Sequence, residues 1–398
     1  MKPENILAVT FTHKAAEEMT QRLSSLLGKE SPLPTTATFH AFCFKLLKEI
    51  QPERGHTVID DLDRMTLAAE AIDRVKKYTP DLVLRADAAV DAIVRAKQLL
   101  LIPNDDLTPV APGETPANFA AVYEMYQHLL DVQHLYDYED LIFQAVSFLE
   151  SDTPSRDYYR NRYAHIFVDE YQDLNFGQYR IIRALAPVDG DICVIGDPDQ
   201  SIYGFRGSDV AFFRKFTEDF PGAATIRLTQ NYRSTETLLE ASFQAIRKYT
   251  LNDFLRQLFS GISGDKAIHI IEAESEKSEA VAVGKTIERM VGGLGFQFDD
   301  FNSGPDALHK EYRAFSDFAV LYRTRAQGDV FAEVLGGAGI PCLVTAKSNV
   351  FGLKGILELL SLLKIIEGRG AFLDFERVNA VIEHGIDAID MESLKKWA

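Results

Sequence analysis

Asp169, Glu170 and Asp173 stand directly after the apolar run Ile166-Phe167-Val168, in the string YAHIFVDEYQD at 163–173. Such a run reads as a buried strand of a parallel sheet. Carboxylates at the carboxyl end of that strand lie where open α/β sheets bind ligands. There Asp169 can hold a magnesium ion through its hydration shell, and Glu170 can orient and deprotonate a water. A lone Asp-Glu pair reads first as an ordinary acidic loop after a core strand. The longer string DEYQD is rarer, and the surrounding chain decides between the two.

The flanking pattern supplies the elements that must position these groups. ILAVTF at 6–11 reads as a buried strand, and THKAAEEMTQRLSSLL at 12–27 as an amphipathic helix with Ala15, Ala16, Met19, Leu23 and Leu26 on one face. Thr10 and Thr12 fall at the turn between them, where hydroxyls and amides can face a phosphate. A second strand ends at Thr38-Phe39-His40, with a helix over 41–50. His40 alone reads as a satisfied core or capping histidine before a ligand. Helical periodicity over 61–78, 86–100 and 116–133, without a strand signal, predicts a helical insertion between two parts of an α/β domain.

A further helix starts at Asp137-Tyr138-Glu139-Asp140-Leu141 and leads back to the acidic strand. Helix 178–185 and strand 191–195 follow, and the strand ends in GDPDQSIYGFRG at 196–207. That loop is crowded with polar groups and holds two aromatics, Tyr203 and Phe205, suited to core anchoring or to stacking. After helix 209–216 and strand 225–228, Gln230-Asn231-Tyr232-Arg233-Ser234 opens another helix. The alternation continues with strand 267–272, helix 276–291, a Gly/Asp-rich loop at 292–311 and strand 318–322, which runs into Tyr322-Arg323-Thr324-Arg325. Helix 330–337, strand 342–345 and helix 353–366 complete a second α/β domain that begins near Thr229. From Phe372 the pattern is helical again.

Composition bounds the partners. The 398 residues, 46% of them hydrophobic, with mean hydropathy near zero, suit a soluble globular protein of two or more domains. No apolar run approaches the roughly 18 residues a membrane span needs, and the amino end lacks the order of a signal peptide. Cys43, Cys193 and Cys342 are scattered, which fits a reducing cytoplasm rather than a disulfide framework or zinc site. The net charge of −17 argues against a polyanion binder held by bulk charge. A nucleic-acid site here must be local, built on stacking, backbone amides and a few cations.

Together the strings TFTHKAAEEM (10–19), TFHAFC (38–43), DYEDL (137–141), VDEYQD (168–173), GDPDQSIYGFRG (196–207), QNYRS (230–234) and AVLYRT (319–324) resemble, in order, the motifs of the UvrD/PcrA/Rep group of superfamily 1 DNA helicases. The resemblance spans nearly the whole chain. It implies an α/β protein of two RecA-like parallel-sheet domains with helical insertions. The first RecA-like domain would take 1–50 and 134–228, its insertion 51–133, the second domain 229–371, and the start of a second insertion 372–398. ATP and Mg2+ would bind between the RecA-like domains, and single-stranded DNA, or a duplex with a 3′ single-stranded tail, across their tops.

The same resemblance implies residue roles. Asp169 would serve the magnesium ion, Glu170 the attacking water and Gln200 the γ-phosphate, with Thr10 near the nucleotide. Arg233 would be an arginine finger, a role worth roughly 10³–10⁵ in rate in phosphoryl-transfer enzymes, and Tyr232 would stack on adenine. Phe11, Tyr203 and Phe205 would offer faces to unpaired bases, while Thr12, His40, Arg206 and Arg323 would contact the strand's backbone or brace those faces. For Arg206 and Arg233 the plainer alternative is a structural salt bridge. A cytoplasmic 3′-to-5′ helicase working with repair or replication proteins would follow.

Departures qualify the match. No stretch fits G-x-x-x-x-G-K-[ST], the loop that cradles phosphates. In the family that loop precedes the first string quoted above, and the last motifs would follow Ala398. The expectation is therefore a fragment that hydrolyses ATP negligibly by itself, with an uncovered sheet edge in its first domain. Phe205 stands where the family usually has Trp, and Arg325 where Asn is usual. Two other readings stay open: a non-catalytic module binding single-stranded DNA, and part of a helicase–nuclease of the RecB or AddA type.

Overall fold

Four short strands run parallel in the order β2-β1-β5-β6: β1 (Ile6–Thr10), β2 (Thr35–Thr38), β5 (His165–Val168) and β6 (Asp191–Val194). Val9 sits opposite Ala37 on one side and Val168 on the other, and Val168 opposite Val194. Because all four strands point the same way, Thr10, Thr38, Asp169 and Gly196 emerge at one edge. The computed structural model describes residues 2–28, 31–52, 57–248, 258–262, 268–292, 313–345, 353, 355–368, 370 and 372–381.

The intervening elements are α1 (His13–Leu27), α2 (Phe39–Ile50), β3 (Thr57–Val58), α3 (Asp61–Lys76), α4 (Ala86–Gln98), α5 (Pro116–Val132), β4 (Leu135–Tyr136), α6 (Tyr138–Ser151), α7 (Thr153–Arg162) and α8 (Phe176–Leu185). Beyond β6 come α9 (Ala211–Asp219), α10 (Glu236–Ile246), α11 (Glu276–Val291), α12 (Arg325–Gly337), α13 (Ile356–Ile366) and α14 (Phe372–Asn379). The chain divides into two units: Met1–Gln230 with Ala241–Phe259 and Leu357–Ala398, and Asn231–Glu240 with Ser260–Ile356.

In the first unit, Leu7, Val9, Ile166 and Val168 are buried with Phe42 and Leu46 of α2, Ala145 of α6 and Ile182 of α8. Their opposite neighbours on the sheet stay open: Phe167, Cys193 and Ile195 are exposed, and among the described residues β6 is an edge. The insertion has its own core. Ala89, Ala92 and Ala96 make α4 narrow, so that it packs closely beside Leu67 and Ala71 of α3 and Phe119 and Tyr123 of α5. Leu373 of α14 joins that core, and the Arg377 guanidinium bonds the Asp63 carboxylate.

A charged lock joins the insertion to the sheet domain. Lys97 at the end of α4 is wholly buried, with its ammonium 2.8 Å from Asp140 and also bonded to Asp137, both at the start of α6. Asp137 and Asp140 form a capping box, and the Tyr126 hydroxyl donates to Asp137 over 3.1 Å. Burying three charges is tolerable because each has opposite-sign or hydrogen-bonding partners.

Several sequence expectations are corrected. The insertion does touch strand structure, since β3 pairs in parallel with β4 through Thr57↔Leu135 and Val58↔Tyr136. Helix α2 begins at Phe39 because Thr38 caps it, accepting from the Ala41 amide over 3.2 Å, so His40 lies in its first turn. Helix α9 starts at Ala211 and α12 at Arg325, where Thr324 provides the cap. The runs 225–228, 318–322 and 342–345, and the described part 268–272 of the fourth, form no regular strand among the described residues. A strand needs a partner for its backbone groups, and among the described residues these runs pair in no ladder; Ile270 and Leu321 are more than nine-tenths exposed. Ala267, most of the Gly/Asp-rich loop and 382–398 lie outside the described residues.

The second unit has a small core of Ile287, Leu335 and Ile340 beside Phe315 and Phe318, between α11 and α12. The three cysteines are free. Among the described residues no helix is long and apolar enough to cross a membrane.

Candidate functional site

Asp169 extends β5 by one more ladder bond, its amide donating to the Val9 carbonyl over 2.9 Å. One of its carboxylate oxygens accepts the Glu170 amide at 3.0 Å. Burial pushes its carboxyl above the usual carboxylate range, aided by the charge of Glu170 and opposed by that hydrogen bond. A half-buried hard oxygen donor at a strand end suits a largely hydrated magnesium ion. Glu170 turns the chain sharply with φ 53° and ψ 42°, the left-handed region that costs a non-glycine residue on the order of 1–3 kcal/mol. The turn leaves the Glu170 carboxylate exposed beyond the sheet edge, where a water could reach it.

Residues Tyr171–Asp173 then form one 3-10 turn and are buried. Burial, with the Glu170 charge second, pushes the Asp173 carboxyl up to about 6. Gln172, which carries no signal in the sequence beyond its place in DEYQD, donates from Nε2 to Glu170 Oε2 over 2.7 Å. Its Oε1 accepts the Asp197 amide at 2.9 Å.

Asp197 opens the loop after β6. It caps the 3-10 turn Pro198–Gln200 and accepts from Gln200 Nε2 at 2.9 Å, so the proposed sensor is exposed but held. Further along, Phe205 is 79% exposed, which excludes a core anchor. Tyr203 and Phe205 lie with ring centroids 6.2 Å apart, and the Arg206 guanidinium lies over both, at 5.7 and 5.5 Å. Phe11, leaving β1, stacks on Tyr203 at 5.0 Å and 29°. Neither Arg206 nor Arg233 forms an ion pair with a described residue, so the salt-bridge alternative finds no partner there.

These rings border a cavity of about 740 Å³ that α4 also lines. His40 lies on it, stacked on Tyr138 at 3.8 Å and 19°. Burial, and secondarily the charge of His13, lower the His40 pKa to about 4. His40 is thus neutral near pH 7 and suited to bracing an aromatic platform rather than to pairing with phosphate. Thr12 spends its hydroxyl on the Ala15 amide at 3.1 Å, as the cap of α1. Thr10 is buried on the cavity wall, and its hydroxyl has no partner among the described residues. Asp91 and Arg95 of α4 also line the cavity and escaped sequence reasoning, because a helical insertion carries no motif. Tyr138 could have been singled out as the aromatic of DYEDL.

Tyr232, Arg233 and Arg323 belong to the second unit. Tyr232 is 83% exposed. The Asn231 side chain accepts the Arg233 and Ser234 amides at 2.9 and 2.8 Å, a turn in which Tyr232 and Arg233 are exposed and Ser234 is half-buried. The Arg323 amide donates to Gln327 in the capping box of α12.

Residues 1–221 match the family model described as UvrD/REP helicase N-terminal domain, and 226–397 that of the UvrD-like helicase C-terminal domain. The chain is 33% identical over 407 aligned residues to the ATP-dependent DNA helicase PcrA of Staphylococcus epidermidis, and 32% to that of Staphylococcus aureus. Each alignment covers 100% of this chain and 52% of the relative. The chain thus spans about half the length of the curated relatives it matches.

Proposed function

The chain belongs to the UvrD/REP helicase family, and from that premise we propose that it is the motor portion of an ATP-driven translocase that moves 3′ to 5′ on single-stranded DNA and opens duplexes bearing a 3′ tail. The family has a two-domain RecA-like fold, with which the parallel sheet and its helices agree. The observation that carries the proposal is a single loop, 196–207. It holds Gln200 at one end and the half-buried Tyr203 with the exposed Phe205 and Arg206 at the other, beside the acid-bearing end of β5.

In this reading Glu170, whose side chain is exposed after a left-handed turn, accepts the proton of the attacking water. Asp169 would hold a hydrated magnesium ion, which would supply charge neutralisation on the phosphates. Gln200 bonds phosphate oxygen or water in one nucleotide state and releases it in another. Arg233 stabilises the charge that develops on the transferred group, Tyr232 stacks on adenine, and Thr10 offers near the nucleotide a hydroxyl that has no partner among the described residues. Unpaired bases stack on Phe11, Tyr203 and Phe205. Thr12, His40, Arg206 and Arg323 brace those platforms or meet the strand's backbone. The working compartment is the cytoplasm, alongside repair or replication proteins.

A second reading rests on the lack of a G-x-x-x-x-G-K-[ST] string in these 398 residues: the stretch by itself binds single-stranded DNA without hydrolysing ATP. Strand separation by the intact gene product tests the first reading. Unwinding of a 3′-tailed duplex, with little action on a 5′-tailed one, is expected. The reverse preference would remove the polarity assignment, and DNA binding with no unwinding of either substrate would overturn the first reading; phosphate release by the 398-residue stretch alone with single-stranded DNA would overturn the second.

A further inference from the structure

We propose that Gln172 is a positioning residue that ties the Glu170 carboxylate to the loop carrying Gln200 and the aromatic platform, so that a change at either end reaches the other through one carboxamide. The inference rests on the roles just assigned to Glu170 and Gln200. Gln172 is 1% exposed, and a buried amide side chain is costly unless its groups are bonded. Both ends are used. Nε2 donates to Glu170 Oε2 at 2.7 Å and approaches Asp173 Oδ2 at 3.4 Å, while Oε1 accepts the Asp197 amide at 2.9 Å. Asp197 then accepts from Gln200 Nε2 at 2.9 Å.

Hydrogen bonds thus run without a break from Glu170 through Gln172 and Asp197 to Gln200. Among the described residues, Gln172 is the side chain that holds the Glu170 carboxylate. The backbone adds two further ties: Tyr171 N–H donates to the Ile195 carbonyl at 2.9 Å, and the Ser201 hydroxyl to the Gln172 carbonyl at 3.3 Å.

The chemistry of position 172 is restrictive. A carboxamide donates to a carboxylate at one end and accepts an N–H at the other. Glutamate of the same size keeps the acceptor and loses the donor, and methionine loses both. Gly196 fits the same account, because a Cβ there would fall 2.6 Å from Gln172 Oε1 and 2.8 Å from the Phe213 ring. The loop can approach the carboxamide this closely only with glycine at its root.

The test uses the intact gene product with Gln172→Met and Gln172→Glu. Both variants should lower the DNA-stimulated kcat on the order of 10–100-fold, as a misaligned catalytic group does, with KM for ATP near wild type. Gln172→Glu, which buries a carboxyl beside Glu170 and Asp173, should melt below wild type. Amide exchange separates the two arms. Asp197 N–H should exchange faster in Gln172→Met and stay protected in Gln172→Glu, where the acceptor survives. If Gln172→Met fails to fold, Gln172→Glu still decides. Wild-type kcat in Gln172→Glu overturns the coupling alone. A wild-type protein without DNA-stimulated hydrolysis overturns the parent reading and the coupling with it.

Discussion

Phe11 and Tyr203 stack with ring centroids 5.0 Å apart, although one leaves β1 and the other follows β6, two strands away in the sheet. Parallel strands bring both exits to one edge, so motifs distant in sequence meet as one aromatic wall. Phe205 continues that wall into solvent.

Replacing Phe205 with alanine should weaken binding of an oligothymidylate by on the order of 1–3 kcal/mol, the range for one stacked base. Phe205→Trp, which keeps a face, should bind near wild type. Fluorescence anisotropy measures both. Equal affinity for Phe205→Ala would mean that bases do not use this ring.

Salt should matter little. Stacking on neutral rings releases no counterions, and the protein carries a net charge of −17. With only a few cations at the strand, a plot of log affinity against log salt should have a slope shallower than about −3, given roughly −0.7 per neutralised phosphate. A much steeper slope would point to an extended basic track.

Lys97→Met should destabilise the protein by roughly 3–5 kcal/mol, since it strands Asp137 and Asp140 as buried charges. Urea denaturation gives the number. A loss below about 1 kcal/mol, typical of an exposed pair, would show that the site is wetter than its burial implies.

His40 gives a signed pH effect. Its folded pKa is lowered to about 4 from an unfolded value near 6.5. The unfolded chain therefore binds the extra proton first, and stability from this group falls as pH drops from about 6.5 towards 4. His40→Gln lacks that loss, whereas Asp173, with its carboxyl raised to about 6, acts alike in both proteins. The stability of wild type relative to His40→Gln should thus shrink on acidification from pH 7 to pH 4.5, measured by thermal melts. A constant difference would mean that His40 titrates normally.

What the sequence made legible follows from how apolar residues repeat. β1, β5 and β6 are continuous apolar runs, and α1, α3, α4 and α5 carry periodic stripes, so the sheet edge and its acids could be located. The β3–β4 ladder is two residues long and leaves no period to detect. α7 is too polar to display a stripe, although Tyr159 anchors it. Lys97 and Gln172 look like solvent-facing residues in the string, and only their partners explain their burial. In the second unit the run holding Leu321 has strand composition without a strand partner among the described residues. Composition predicts what a segment prefers, and pairing decides what it forms.

If the acid after β5 drives ATP hydrolysis in response to single-stranded DNA, steady-state phosphate release by the intact gene product should rise strongly with saturating oligothymidylate. That rise should be lost in Glu170→Gln, with nucleotide binding retained. DNA-stimulated hydrolysis that persists at the wild-type rate in Glu170→Gln would rule out this role for Glu170.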